Sequence, residues 1–228
     1  MTCVIPYPSA SMCDASVAYD CMRLMNDGVP GIDRFVFAVG SERSRAAIER
    51  KLEGTTRSFA RIGIHRVKEK AYNGTSVFRL CLKSAIEALP DEKNLMFVPP
   101  WWHFVDGSRL ELNPVPDDVV SVMLAGWFWS ECRGTVNYHP RQCKYDGFVA
   151  VQSFQWTDKW VFSIDAPQVV NTSHFRKDGV MDDDSSGGVE KLNKSNYWGR
   201  DDVNMVLVPK QQKPFFKDVL GTNPDYRP

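Results

Sequence analysis

Residues 34–39 read RFVFAV, in which every position after the arginine is apolar, and Gly40 ends the run. A strand that is apolar on both faces is typical of a parallel sheet, because helices cover both sides of such a sheet. Residues 2–7 (TCVIPY) and 94–98 (NLMFV) are short apolar runs of the same kind. These three segments predict a parallel sheet at the centre of the fold.

Helical patterns lie between these strands. Helices are predicted at 15–26, 44–52 and 77–89, and the last of these, VFRLCLKSAIEAL, is the clearest amphipathic helix of the chain. A further strand is predicted at 61–67. The resulting order, β-α-β-α-β-α-β over residues 1–98, predicts an α/β fold in which helices flank a mainly parallel sheet.

The carboxyl ends of these strands are the expected location of a site. Ligands of open α/β sheets bind outside the carboxyl ends of the strands. The segments that follow Tyr7, Gly40, Val67 and Val98 are therefore the first places to look for functional residues.

The second half of the chain has a different character, with short segments rich in valine and aromatic residues between polar connections. Strands are predicted at 119–129, 147–154 and 160–164, a polar loop at 171–200, and a short strand or helix at 203–208. We expect a single domain, 1–228, made of an α/β half (1–98), a mixed, β-rich half (99–208) and an extended, proline-containing tail (209–228).

Composition excludes some classes of protein. The 28 basic and 28 acidic residues balance, which argues against a strongly basic binder whose affinity comes from phosphate neutralisation, but leaves a local basic groove open. No apolar run approaches the roughly 20 residues of a membrane-spanning helix, and residues 1–10 do not resemble a secretory signal. The six cysteines lack C-x₂-C spacing and are interpreted as free thiols, so a cytoplasmic location is expected.

Several catalytic motifs are missing from the sequence. It contains no phosphate-binding P-loop, no G-x-G-x-x-G, no G-x-S-x-G and no H-E-x-x-H. His103, Asp106 and His139 have the side chains of an iron-binding facial triad, but the usual H-x-D/E spacing belongs to a β-barrel. A polar cluster without a metal is the alternative interpretation of these three residues.

The order of elements and several short motifs resemble the GT-A class of nucleotide-sugar glycosyltransferases, in the broad family-2-like sense. The motifs are the opening VIPY strand, the FVFAVGS strand and turn, an Asn-Gly turn before a long helix, and a late W-G-x-D-D element. They lie here at 4–7, 35–41, 72–76 and 197–205. The family places a D-x-D motif after the fourth strand, whereas residues 97–107 contain a single aspartate, Asp106.

The resemblance implies a transferase that moves a sugar from a nucleotide-sugar donor to a hydroxyl acceptor. The acceptor itself is open, a modified nucleic-acid base or a glycan being examples. The implied donor contacts are Pro6, Tyr7, Ser41 and Asp106. Asp106 would also hold a divalent cation, Mn²⁺ or Mg²⁺, and no organic cofactor is expected. Arg43, Lys68 and Lys70 are basic alternatives for stabilising the diphosphate charge.

The acceptor side follows from the same resemblance. Asp202 is the preferred general base, and Asp201 is the second candidate. Trp101, Trp102 and Trp198 would offer rings to the acceptor, with core packing as the alternative role. The acidic residues at 182–184 are a further candidate metal site, although their Gly/Ser-rich surroundings favour a solvated loop.

Two other functional classes stay open. A nucleotidyltransferase usually carries a glycine-rich, basic loop after its first strand, and residues 8–12 (PSASM) contain neither glycine nor a basic residue. A non-catalytic structural or binding protein with a degenerate α/β fold is favoured by the missing D-x-D motif. The W-G-x-D-D element argues against that interpretation.

Overall fold

The computed structural model describes residues 1–54, 61–67, 74–105, 110–112, 114–117, 119–124, 148–152, 167–176, 205–209 and 215–220. The predicted alternation of strands and helices in the first half is confirmed. Its elements are β1 (Thr2–Tyr7), α1 (Ala15–Gly28), β2 (Arg34–Val39), α2 (Glu42–Glu53), β3 (Arg61–Arg66), α3 (Gly74–Ala88) and β4 (Asn94–Phe97).

The second half adds short elements. These are β5 (Trp102–Phe104), β6 (Val119–Met123), β7 (Phe148–Gln152), β8 (Gln168–Asn171), α4 (Thr172–Phe175), β9 (Met205–Pro209) and β10 (Phe216–Asp218). None of the helices in the described part of the chain is long and apolar enough to cross a membrane.

Eight of the described strands form one sheet in the order β3-β2-β1-β4-β8-β6-β9-β7. β1 pairs in parallel with β2 on one side and with β4 on the other, with Thr2 opposite Arg34 and Leu95. The antiparallel pairs β4–β8, β8–β6 and β9–β7 make β8 and β7 the two described strands that run against the rest. The mainly parallel sheet that the sequence predicts is therefore confirmed.

The central strands bury both faces because successive side chains point to opposite sides. On one face Phe35 and Phe37 of β2 belong to the hydrophobic cluster that includes α1 and Ile48 of α2. On the other face Ala38 packs in a second cluster with Leu82 and other residues of α3. The continuous apolar pattern of residues 34–39 thus reflects a strand between two helical layers.

Side-chain caps fix where the first two helices begin. The Asp14 carboxylate accepts a hydrogen bond from the Ser16 amide, which starts α1, and Ser41 Oγ accepts one from the Ser44 amide, which starts α2. These bonds satisfy amide groups that have no partner within the helix. The Ser41 cap follows the end of β2 almost directly, whereas the loop 8–13 separates the Asp14 cap from the end of β1.

The prediction of a polar loop over 171–200 is wrong at its beginning. Asn171 ends β8, which lies between β4 and β6, and residues 172–175 form the helical turn α4. The polar ends of β8 are buried with partners: Ser121 Oγ donates to the side-chain oxygen of Gln168, and Asn171 donates to the Pro116 carbonyl. Polar side chains at both ends conceal this central strand in the sequence.

Other boundaries in the second half also differ from expectation. The strand predicted at 119–129 ends at Met123, and residues 147–154 contribute the shorter strand β7. In the segment with two interpretations at 203–208, the described residues belong to a strand, β9. The strand predicted at 160–164 and the acidic residues at 182–184 lie outside the described residues.

β5 and β10 form a separate two-stranded antiparallel sheet, with Phe216 opposite Phe104 and Asp218 opposite Trp102. This small sheet packs on α1: the Cys21 thiol donates to the Trp102 carbonyl at 3.3 Å, and the Phe104 ring lies against Gly28. Residues 216–218 thus pair with a strand that the sequence did not predict.

Candidate functional site

The carboxyl ends of β2, β1 and β4 lie side by side at one edge of the sheet. Tyr7 at the end of β1 is opposite Val39 at the end of β2. Beyond β4, the Val98 amide still donates to the Val4 carbonyl at 3.0 Å. The segments that follow these three strands therefore begin next to one another, as expected for the ligand-binding edge of a parallel sheet.

The loops after β1 and β2 contact each other directly. A Cβ atom at Gly40 would lie 2.6 Å from the Pro8 carbonyl oxygen, a distance that real Cβ atoms do not reach. The same carbonyl accepts a hydrogen bond from Ser44 Oγ at 3.2 Å, and Ser44 Oγ lies 2.8 Å from Ser41 Oγ. The absence of a side chain at Gly40 permits this contact, and the serines hold the two loops together.

The loop after β1 presents hydroxyl groups instead of charges. The Met12 amide donates to the Ser9 carbonyl, which closes a turn, and Ser9 Oγ lies 2.7 Å from the exposed Ser11 Oγ. Residues 8–13 include no ionisable side chain except the buried thiol of Cys13. This loop can offer hydroxyl and backbone hydrogen bonds to an uncharged polar group.

Tyr7 supports this loop from within the protein. Its side chain is 1% exposed, and its hydroxyl donates to the Cys13 carbonyl at 2.9 Å. Burial, with smaller contributions from Cys13 and Asp14, raises the pKa of Tyr7 to about 12. The neutral phenol is therefore a fixed donor to the loop backbone, and any contribution of Tyr7 to a ligand is indirect. Pro6 is buried beside it.

The segment after β4 makes a tight turn. The Trp102 amide donates to the Pro99 carbonyl at 3.0 Å. Trp101 is half-buried and packs edge-on against Phe78 of α3, with ring centroids 5.3 Å apart. Trp102 points into the core and is 2% exposed. Of the two adjacent tryptophans, Trp101 is the one that stays partly exposed at this edge.

No family model matches the chain, and no curated protein matches it. Among solved structures, the chain is similar to an apo UDP-glucose pyrophosphorylase, at 10% identity and a TM-score of 0.53 over 99% of this chain and 94% of that chain. The chain has a GT-A-like fold. The fold expected from the short sequence motifs is therefore confirmed.

Two further solved structures are similar at lower scores. Mouse xyloside xylosyltransferase 1, in its apo form, has 9% identity and a TM-score of 0.45 over 79% of this chain and 71% of that chain. A 4-diphosphocytidyl-2C-methyl-D-erythritol synthase from Anaerococcus prevotii has 12% identity and a TM-score of 0.47 over 92% and 87% of the two chains.

Asp106, the predicted metal ligand of this GT-A-like fold, lies outside the described residues. The described residues before it lead away from the carboxyl edge. α1 starts near that edge, after β1, and ends at Gly28, shortly before β2 begins at the opposite edge. Phe104 contacts Gly28, and the Leu110 amide donates to the Gly28 carbonyl at 3.3 Å. A position of Asp106 near a donor diphosphate stays a prediction.

The described part of the chain brings no group of histidine, cysteine, aspartate or glutamate residues together in a way that could hold a metal ion. At the carboxyl edge, Asp14 accepts the capping bond of α1 and Glu42 pairs with Arg66. The capping bonds from Ser16 lower the pKa of Asp14, so this carboxylate stays ionised in its structural role. The described residues therefore do not fit a divalent cation.

His103 is held by the protein backbone. Its Nε2 atom lies 3.0 Å from the Val17 carbonyl of α1, to which it donates as Nε2–H. Burial lowers the pKa of His103, although the bond to Val17 opposes this effect. The neutral ring is thus a tie between β5 and α1. Asp106 and His139, the other members of the possible iron triad, lie outside the described residues.

Of the remaining predicted site residues, only Arg43 lies within the described part of the chain. Arg43 is exposed in the first turn of α2, at the carboxyl edge. Asp201, Asp202, Trp198, Lys68 and Lys70 lie outside the described residues, so their roles stay predictions.

Three serines of the site are not predicted from the sequence: Ser44, which joins the two loops through the Pro8 carbonyl, and Ser9 and Ser11, whose hydroxyls bond to each other within the loop after β1. Serine is common in turns and caps, so none of these positions is distinctive alone. The usable signal is their placement: each follows the end of a predicted central strand by only a few residues. Gly40, singled out only as the end of a strand, is the position whose lack of a side chain brings the loops together.

Proposed function

We propose that the chain is a glycosyltransferase that uses a nucleotide sugar and binds the nucleotide at the carboxyl edge of β1, β2 and β4. The observation that carries the proposal is the uncharged junction of the loops at Pro8 and Gly40, held together by serine hydroxyls. A nucleoside needs hydrogen-bonding groups and close backbone approach more than it needs charge. Exposed Ser11 can supply a hydrogen-bonding hydroxyl group, and exposed Gly40 can allow close approach to its backbone.

The diphosphate leaving group requires a cation or another electrostatic partner as the glycosidic bond breaks. Exposed Arg43 is the described basic residue that we propose for this role, together with Lys68 and Lys70. The metal role of Asp106 is kept as a separate hypothesis and contributes no step here, because the described residues do not form a cation site.

On the acceptor side, we assign Asp202 as the base that removes the proton from the attacking hydroxyl, with Asp201 in a supporting role. Trp101 and Trp198 are the proposed acceptor contacts. Trp102 is left out of this assignment because its ring is buried. A positioned general base contributes about 10²–10⁴ in rate, so its loss is measurable even when the donor still binds.

Nucleotidyl transfer is the second candidate. The similarity to UDP-glucose pyrophosphorylase over almost the whole chain supports it. The loop after β1 argues against it, because displacement of pyrophosphate from a nucleoside triphosphate places more charge near this loop, and residues 8–13 carry no cation. We therefore favour glycosyl transfer.

The first experiment measures thermal stability with a panel of nucleoside diphosphates and nucleotide sugars, UDP and UDP-glucose first, with Mn²⁺, with Mg²⁺ and with EDTA. A ligand at about 100 times its Kd adds roughly 2.7 kcal/mol to the free energy of unfolding. No stabilisation by any member at millimolar concentration would refute the nucleotide site. Equal binding with EDTA and in Asp106→Asn would refute the metal role of Asp106.

The second experiment separates the reactions by their products. Glycosyl transfer or slow donor hydrolysis releases a nucleoside diphosphate from a nucleotide sugar. In nucleotidyl transfer, a sugar 1-phosphate reacts with a nucleoside triphosphate, which releases pyrophosphate. Binding without either product would favour the non-catalytic interpretation.

Asp202→Asn tests the base. We expect turnover to fall by at least about 10² while nucleotide affinity and Tm stay nearly unchanged. Asp91→Asn is the matched control, since it removes an exposed aspartate that has no candidate role, and its turnover should equal that of the unmodified protein. Full loss in Asp201→Asn with full activity in Asp202→Asn would reverse the two assignments.

A further inference from the structure

The segment 215–220 is bonded to β5 at both of its ends. The Val105 amide donates to the Phe215 carbonyl at 2.8 Å, and the Val219 amide donates to the Trp101 carbonyl at 3.0 Å. Between these bonds, β10 pairs with β5 in register. We call residues 215–220 the strap.

The beginning of the strap is anchored in the core. Phe216 is fully buried, and its ring packs edge-on against Phe104 with centroids 5.3 Å apart. Phe104 in turn lies against Gly28 at the end of α1. One end of the strap is therefore fixed to the part of α1 that is farthest from the carboxyl edge.

The other end of the strap lies at the candidate site. Trp101, whose carbonyl receives the Val219 amide, follows the Pro99 turn at the carboxyl end of β4. An Asp218 carboxylate oxygen accepts a hydrogen bond from the Leu220 amide at 3.0 Å and turns the chain there. The strap thus connects the rear of α1 to the segment that carries the half-buried Trp101 ring.

The Val219 side chain contributes little to this attachment. It is 39% exposed, and Leu220 is 43% exposed, so neither is packed as a core residue. The backbone amide of Val219 is therefore its main tie to the site. Removing that amide and removing the side chain are two separate changes, and they can be tested independently.

We propose that the strap is a positioning element of the nucleotide site, which holds the Pro99–Trp102 turn at the carboxyl end of β4 in place through the hydrogen bond from the Val219 amide to the Trp101 carbonyl. This inference rests on the proposed function. It makes the C-terminal segment part of the site, although its residues include no catalytic group. Val219 acts through Trp101, not on the substrate.

Val219→Pro removes the amide hydrogen, and Val219→Ala keeps it while shortening the side chain. We expect UDP to bind Val219→Pro about fivefold more weakly, the scale of one neutral hydrogen bond, and Val219→Ala with unchanged affinity.

Hydrogen exchange of residues 97–104 without ligand gives a readout that does not depend on binding. We expect faster exchange in Val219→Pro than in Val219→Ala, with Tm nearly equal. Unchanged exchange would show that the strap does not hold the turn. Faster exchange with unchanged UDP affinity would show that the turn is not part of the site. Either result overturns the inference.

The proposed function fails in a different way. If the unmodified protein binds no nucleoside diphosphate of the panel, the nucleotide site is refuted, and the strap inference falls with it. If the unmodified protein binds UDP and Val219→Pro binds it equally well, only the strap inference is overturned. Should Val219→Pro fail to fold, the full chain with the α-hydroxy analogue of valine at position 219, which replaces the amide N–H by an ester oxygen, decides the question by the same UDP titration.

Discussion

The central strands β2 and β8 lie in the same sheet, yet they are built differently. β2 is apolar after its first residue and is buried on both faces: Phe35 and Phe37 pack in one hydrophobic cluster, and Ala38 packs in the other. β8 is equally buried, but it begins with Gln168 and ends with Asn171. Hydrophobic burial accounts for the first strand. The second also depends on hydrogen bonds that satisfy its polar ends.

Because of this difference, we expect mutations in different parts of the molecule to change its stability in different ways. In the parallel half, stability comes from apolar volume between two helical layers, so the loss of a side chain leaves a cavity. The small β5–β10 sheet shares one hydrophobic cluster with β2, but it is separate from the eight-stranded sheet. We expect the loss of a side chain in this small sheet to have a more local effect, because a small structural unit can open without the rest of the fold.

The largest expected effect tests this comparison with two phenylalanines. Phe37 in β2 and Phe216 in β10 are both fully buried. Phe37→Ala should lower the free energy of unfolding by about 3–5 kcal/mol, the usual cost of such a truncation in a core. Phe216→Ala should cost less, because the strap can open locally. Urea unfolding at equilibrium measures both.

Hydrogen exchange adds the regional readout for this pair. In Phe216→Ala, faster exchange should be confined to residues 101–105 and 215–220, whereas Phe37→Ala should raise exchange across the sheet. Equal losses of stability, with global exchange in both variants, would mean that the strap unfolds only together with the parallel half.

A smaller effect concerns two glycines of the parallel half. Gly40→Ala would place its Cβ 2.6 Å from the Pro8 carbonyl oxygen, so the two loops must separate. We expect a destabilisation of about 1–3 kcal/mol, the usual cost of overpacking, and weaker UDP binding. Gly63→Ala is the matched control. The Cβ of an alanine at position 63 would lie 3.4 Å from the nearest atom, which belongs to the Arg34 side chain and can move.

Thermal unfolding and calorimetry with UDP measure the glycine pair. Gly63→Ala should be neutral or slightly stabilising, because glycine weakens a strand interior. If Gly40→Ala were as stable as Gly63→Ala and bound UDP normally, the contact between the loops at Pro8 and Gly40 would have no role in the site.

The fold of the first half could be predicted because its buried strands share one sequence pattern, a continuous apolar run. Residues 34–39 are apolar wherever they are buried, and the same pattern identifies β1 and β4. β8 and β5 could not be found in this way. Gln168 and Asn171 look like loop residues until their partners are known, and β5 has only three residues after a double proline.

The candidate site shows the same limit. The edge of the sheet where ligands bind follows from strand order alone, which is a property of local patterns. Whether a side chain at that edge reaches a ligand depends on tertiary packing. Tyr7 and Trp102 were both predicted as ligand contacts, but the first supports a loop from inside and the second fills the core. A sequence pattern cannot separate a buried ring from an exposed one.

The smallest expected effect concerns the pH dependence of the tie between β5 and α1. Burial lowers the pKa of His103, so the folded protein binds a proton there less readily than the unfolded chain does. Near and above pH 7 the ring is neutral in both states and contributes no pH dependence. As the pH falls through the unfolded value of about 6.5 toward the lower folded pKa, stability is lost. Below the folded pKa the loss levels off.

His103→Gln removes this titration. Between pH 7 and pH 5 the free energy of unfolding should fall less steeply in His103→Gln than in the unmodified protein, and urea unfolding at half-unit steps measures the difference. The other histidines are present in both proteins, so they cancel when the two slopes are compared. Parallel slopes would mean that the folded ring accepts a proton without cost. A steeper slope in His103→Gln would mean that the bond to Val17 and the charge of Asp20, which both raise the pKa of His103, together outweigh burial.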